Sequence, residues 1–230
     1  MSSRVPSLGP LKDIGLGNSA TQMDSVAPDD KGQVKLETGA PLSSSANLPV
    51  VEESEASGDV RLLYADFRAR FGRPDIPGIL KCFATHPPLL KSMMDIAETL
   101  LFADGYLQRR HKEMIATLIS SENNCAYCAD SHGSFLRVLG GSPELICALQ
   151  TGSFDSACLS QAEQALLRFA RKINADSQSI TRADIETTMQ AGWTEAQLAE
   201  AVHIAALFAT FNRVVNAFGL PSPYQGGARG

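Results

Sequence analysis

From Val60 onward, apolar residues recur at spacings of three and four, and no stretch carries the two-residue alternation of a half-buried strand. The periodicity predicts helices over 60–71, 76–85, 87–103, 107–122, 125–139, 143–150, 160–175, 181–190 and 194–218. Their starts are marked. Ser160 with Glu163 and Thr194 with Gln197 read as capping boxes, and Ser142-Pro143 as an N-cap followed by proline at the first helical position. Asn124 reads as the cap of the helix over 125–139. The domain is expected to be all-α, which removes a thioredoxin-type fold because that needs a strand-helix-strand context. Leu107 to Leu149 and Leu159 to Glu200 share a plan: a helix carrying Glu113 or Glu163, a second segment, a glycine turn and a capped helix. A pseudo-twofold pair of halves and a chance likeness of amphipathic helices both fit that echo.

Residues 1–58 follow a different pattern, with no aromatic residue, Cys or His, much Ser, Gly and Pro, and an acidic cluster at Glu52, Glu53 and Glu55. Such a segment buries too little apolar surface to offset its chain entropy. It reads as a disordered N-terminal tail, with a linker or a surface-hugging piece as the lesser alternative, and residues 59–230 read as one helical domain. The 230 residues, 44% hydrophobic with a net charge of −5, suit one good-sized core. Basic residues are scattered, so neither nucleic acid nor an anionic membrane is expected as a partner. The longest apolar run, Ala201 to Phe211, contains His203 and Thr210 and is short for a bilayer span. No compact apolar secretory segment stands at the N-terminus, and a cytoplasmic location is expected.

Chemistry enters at Cys125-Ala-Tyr-Cys128, with His132 four residues on. At about 100° per residue these three fall near 0°, 300° and 340° around a helix axis, one stripe that continues into Phe135, Leu136 and Leu139. Positions i and i+3 place Cα atoms within disulfide range, so the pair can close and open without large backbone movement. The helix start lowers the pKa of Cys125, whereas the i+4 geometry pairs His132 with Cys128, and the sequence leaves open which effect prevails. Lowering a thiol pKa is offset in part by lost nucleophilicity, so a positioned proton donor, worth about 10²–10⁴, is needed as well. Glu113 is the candidate carboxylate. It faces away from the Leu107, Met114, Leu118 stripe toward Ala116, Thr117 and Ser120, whose small side chains admit another helix, although a solvated surface glutamate is the ordinary alternative.

The spacing of Glu113, Cys125, Tyr127, Cys128 and His132, within SENNCAYCADSHG, resembles the alkyl hydroperoxidase D branch of the carboxymuconolactone decarboxylase-like family. HPPLLKSMMDIAETLLFADGYL and FNRVVNAFGLP resemble the peroxidase-related members, and the likeness spans about residues 60–222. It implies an all-helical homo-oligomer (dimer, trimer or hexamer) without a cofactor or metal. It also implies a thiol cycle that reduces a hydroperoxide, or serves as disulfide reductant for a partner protein. By the same resemblance Cys128 is the sulfur that becomes sulfenic acid, Cys125 the resolving thiol, and Glu113 with His132 the proton relay. The best-known members carry a second His where this chain has Tyr127, which still offers a hydroxyl. Competing readings are the cofactor-free lyase branch, which does not rely on a CxxC pair, and a non-enzymic redox sensor.

Zinc would find three ligands in the trio and lacks a fourth, since no second CxxC exists. Cys82, Cys147 and Cys158 each stand alone in apolar helical surroundings and read as buried, inert thiols. His203 reads as a core histidine, His86 and His111 as surface residues, and Trp193 as part of the core. Asn212 and Arg213 on the last helix are left without a role.

Overall fold

Polar caps fix where the helices begin. The computed structural model describes residues 46–154 and 159–223. Within them stand α1 (Gly58–Phe71), α2 (Gly78–Phe83), α3 (Pro87–Ala97), α4 (Arg109–Glu122), α5 (Ala126–Val138), α6 (Pro143–Gln150), α7 (Gln161–Asp176), α8 (Arg182–Gln190) and α9 (Glu195–Phe218), and no strand. The capping boxes at Ser160 and Thr194 form as expected, and Ser142 Oγ accepts from the Leu145 amide ahead of α6. A third box, Thr181 with Asp184, opens α8. Two details depart from the expected pattern. The helix expected over 87–103 ends at Ala97 in a π-helical turn, Glu98–Phe102. Asn124 does not cap α5: it takes a left-handed backbone, φ 53°, and Cys125 itself is the N-cap. An asparagine tolerates that conformation better than most residues, and it turns the chain sharply from α4 into α5.

The core forms around α4, which packs against α5, α6, α7 and α9. Enclosed on all these sides, α4 buries every residue from Lys112 to Ser120, polar ones included. Met114, Ile115, Leu118 and Ile119 share one core with Leu198, Ile204 and Phe208 of α9. By length and composition α9 could cross a membrane, but its Leu198, Ala201, Ile204, Phe208 and Val215 face is buried, as in a core helix.

Being surrounded gives α4 an unexpected buried cation. Lys112, 1% exposed, pairs with Glu200 of α9 at 2.8 Å and donates to the carbonyls of Leu100 and Ala103. Glu200 in turn accepts from the Leu107 amide at 2.6 Å. The pair thereby ties the π-helical turn and the following loop to α4 and α9. A side chain on Gly105 would collide with the Glu200 carboxylate, so that approach requires glycine.

Four other sequence expectations are corrected. Residues 46–57, expected to belong to a tail, are a strap on the helical body. Val51 donates to the Lys81 carbonyl and accepts from the Tyr64 hydroxyl at 2.7 Å, Glu52 pairs with Lys81, Glu53 pairs with Arg68 and accepts from the Ile76 amide, and Asn47 donates to the Phe218 carbonyl. Residues 1–45 lie outside the described residues. His111 is not a surface residue: it packs edge-on to Trp193 at 5.0 Å, and its side chain is 14% exposed. His203 is exposed, because the buried face of α9 passes through its neighbours Ala201, Ile204 and Ala205. Cys147 is exposed on α6, whereas Cys82 is buried; Cys158 lies outside the described residues.

Candidate active site

Small residues on α4 let α5 lie close alongside it, and this contact sets the site. Glu113, 1% exposed, receives the Nδ1 proton of His132 on Oε2 at 2.6 Å, and Arg109 one turn before it holds Oε1 at 2.5 Å. Burial alone would push the Glu113 carboxyl up, but the charges and hydrogen bonds of His132 and Arg109 outweigh it and hold the carboxyl below its ordinary range. Arg109 is itself fixed by the face of Phe102, 4.4 Å from the ring centroid. The His132 ring is wedged edge-on between Phe135 at 5.5 Å and Phe208 at 4.6 Å. With Nδ1 committed to Glu113, Nε2 is the nitrogen left for proton exchange.

Cys125 and Cys128 form a small apolar cluster with Val215, packed against Ile79, Tyr127 and Leu220. Both are free thiols in mutual hydrogen-bond contact. The Cys128 S–H donates to Cys125, which lowers the Cys125 pKa against the opposing effect of burial. Donation to Cys125 and burial push Cys128 up. When the pair loses a proton, the one that remains is shared between the sulfurs, with the charge favoured on Cys125, at the helix start. Access is divided the other way. Cys125 is 0% exposed, whereas Cys128 opens onto a cavity of about 400 Å³ that His132 also lines.

That cavity is walled mainly by apolar side chains of α1, α2, α3 and α9, among them Phe67, Ile79, Phe83, Met94 and Phe211. Tyr127 and Ser131 also line it. The Tyr127 hydroxyl accepts from the Ile79 amide at 3.4 Å, so it serves an otherwise unpaired donor at the start of α2.

The four residues singled out by sequence, Glu113, Cys125, Cys128 and His132, thus meet at one α4–α5 seam, and two of them open onto the cavity. Asn212 joins them, a residue the sequence left unassigned. It is 1% exposed on α9, donates to Ser120 Oγ at 3.0 Å, accepts from Asn123 at 2.9 Å, and reaches both sulfurs. Its Oδ1 is taken by Asn123, which turns Nδ2 toward the thiols, and a donated N–H favours the thiolate. The signal available in sequence was one polar residue among Phe208, Phe211 and Val215, on the buried stripe of an apolar helix. Among the described residues, no group of three or more His, Cys, Asp or Glu side chains is placed to hold a metal ion.

Residues 87–172 match the model of the carboxymuconolactone decarboxylase family. The fold is similar to the alkylhydroperoxidase AhpD core of an uncharacterized peroxidase-related protein from Ralstonia eutropha JMP134, with TM-score 0.70 and 24% identity over 81% of this chain and 95% of that one. A peroxidase-related protein from Silicibacter sp. TM1040 gives TM-score 0.70 and 24% identity over 81% and 96%. The C82A variant of the debrominase Bmp8, solved in complex with 2,3,4-tribromopyrrole, gives TM-score 0.62 and 16% identity over 76% of this chain and 90% of that one. A search of curated protein sequences found no match.

Proposed function

From the match of residues 87–172 to the carboxymuconolactone decarboxylase family model, taken with the geometry of the thiol pair, we propose that the chain is a thiol-dependent hydroperoxide reductase. One observation carries the reading: Cys128 faces an apolar cavity beside an imidazole whose far nitrogen is held by a buried carboxylate. A lyase has no need of a thiol pair, one sulfur of which, Cys128, opens onto this cavity.

In the reaction, the shared proton of the pair passes from Cys128 to Cys125, and the Cys128 thiolate attacks the terminal oxygen of the hydroperoxide. The O–O bond breaks, Cys128 becomes a sulfenic acid, and the departing alkoxide takes a proton from His132 and leaves as the alcohol. Glu113 stabilises the imidazolium before transfer and keeps the ring aimed. Cys125 then attacks the Cys128 sulfur, the S–O bond breaks, and hydroxide leaves with the Cys125 proton as water. A dithiol donor exchanges with the resulting Cys125–Cys128 disulfide, becoming a disulfide itself and restoring both thiols. Resolution needs little movement, since the sulfurs already touch. Assembly into a homo-oligomer belongs to the same reading.

The test is intact-mass and peptide analysis of the reduced protein after one equivalent of cumene hydroperoxide. The expected result is loss of two hydrogens in a Cys125–Cys128 link, with turnover by a dithiol donor abolished in Cys128→Ser. Unchanged peroxide consumption in that variant would overturn the reading.

A further inference from the structure

One permanently charged side chain lines the cavity, and it is a cation. Arg73 follows the left-handed Gly72 that ends α1, and its guanidinium lies over the Phe135 ring, 5.7 Å from the centroid. Neighbouring arginines are neutralised: Arg70 by Asp66, Asp95 and Glu98, and Arg109 by Glu113. Among the described residues no carboxylate pairs with Arg73, and no acidic residue lines the cavity. The loop that carries Arg73 is nonetheless held on both sides, since Arg68 Nε donates to the Pro74 carbonyl at 2.8 Å and Glu53 accepts from the Ile76 amide at 3.0 Å. An exposed, unneutralised guanidinium on an anchored loop at the edge of an apolar chamber is an arrangement that recognises an anion on a hydrocarbon.

Distance adds to the argument. Phe135 comes seven residues after Cys128 on α5, about 10 Å along the axis. We propose that the cavity takes an amphipathic carboxylate of medium chain length, with the hydrocarbon among Phe67, Ile79 and Phe83, the carboxylate on Arg73, and the reacting end at Cys128. Combined with the hydroperoxide reductase reading, on which this part rests, the substrate class is a hydroperoxy acid.

Binding is tested first, in full-length Cys128→Ser protein, which cannot turn over. By calorimetry decanoate is expected to bind at least about 10-fold more tightly than decanol, and Arg73→Gln to erase the difference while Arg73→Lys retains part of it. Equal binding of the two, or a preference that survives in Arg73→Gln, would overturn the proposal. Turnover is tested with 10-hydroperoxydecanoic acid, its methyl ester, and cumene hydroperoxide. Arg73→Gln should raise KM for the acid about 10-fold, leaving its kcat and the constants of both neutral peroxides unchanged. If no peroxide is consumed but decanoate keeps its Arg73-dependent advantage, the carboxylate site stands and the reductase reading falls. If all three are consumed with no Arg73-dependent preference, the reductase reading stands and the carboxylate site falls.

Discussion

His132 Nδ1 donates to Glu113 Oε2 at 2.6 Å across the α4–α5 seam, so a charge buried on the central helix sets the orientation of the ring that faces the cavity. Glu113→Gln keeps the size and a hydrogen-bonding oxygen but removes the charge that stabilises the imidazolium. Peroxide turnover is expected to fall about 10²-fold, mainly in kcat, by steady-state assay. Stability supplies a second readout. The folded Glu113 carboxyl titrates below its ordinary value, so its contribution is complete above the ordinary carboxyl range and is lost as pH falls through the folded value. The gap in melting temperature between wild type and Glu113→Gln should be widest near neutrality and close in acid.

The shared proton between the sulfurs predicts a divided titration. Thiolate absorbance, followed in Cys147→Ser, Cys158→Ser protein so that only the pair and Cys82 remain, should rise by one step below the ordinary thiol range of about 9, with no second step from the pair until strongly alkaline pH. Cys82, pushed up to about 12 by burial, should stay silent over the same range. Removing the S–H donor in Cys128→Ala, or the amide donor in Asn212→Leu, should move the first step upward. A step that stays in place in both variants would mean that neither contact stabilises the Cys125 thiolate.

Helix positions were legible because caps and periodicity are local properties, and the stripe of Cys125, Cys128 and His132 is fixed by helix geometry alone. The contact with Glu113 was legible only in part. A single helix carries no record of how many neighbours surround it, and α4 is enclosed by four, so in a charged run Lys112 is buried and His111 half-buried. On α9 the difficulty is the opposite: AVHIAALFATF is apolar on all sides, which hides that His203 lies on the outward face. Asn212 escaped notice for the same reason. Its role depends on where the sulfurs of another helix sit.

The buried pair of Lys112 and Glu200 should be costly to break from one side. Lys112→Met leaves a carboxylate among apolar neighbours, and a loss of about 3–5 kcal/mol is expected by denaturant unfolding. Replacing both residues, as in Lys112→Met with Glu200→Leu, should recover much of that loss, because no buried charge is left uncompensated. The recovery will be incomplete, since the Leu107 amide and the carbonyls of Leu100 and Ala103 lose their partners.

The strap over residues 46–57 predicts that two truncations differ. A protein starting at residue 46 keeps the Val51 contacts with Tyr64 and Lys81 and the Glu53 contacts with Arg68 and Ile76, and one starting at residue 58 loses them all. The Tyr64 hydroxyl and the Ile76 amide then lack partners, at about 1 kcal/mol each, while the partly exposed ion pairs add little. For a chain of this size about 2 kcal/mol corresponds to a melting temperature roughly 5 °C lower in the shorter protein. The loss should extend to the cavity, because Glu53 holds the loop that carries Arg73. Removal of residues 46–57 should therefore weaken decanoate binding more than decanol binding, and equal weakening of both would confine the strap to a stabilising role.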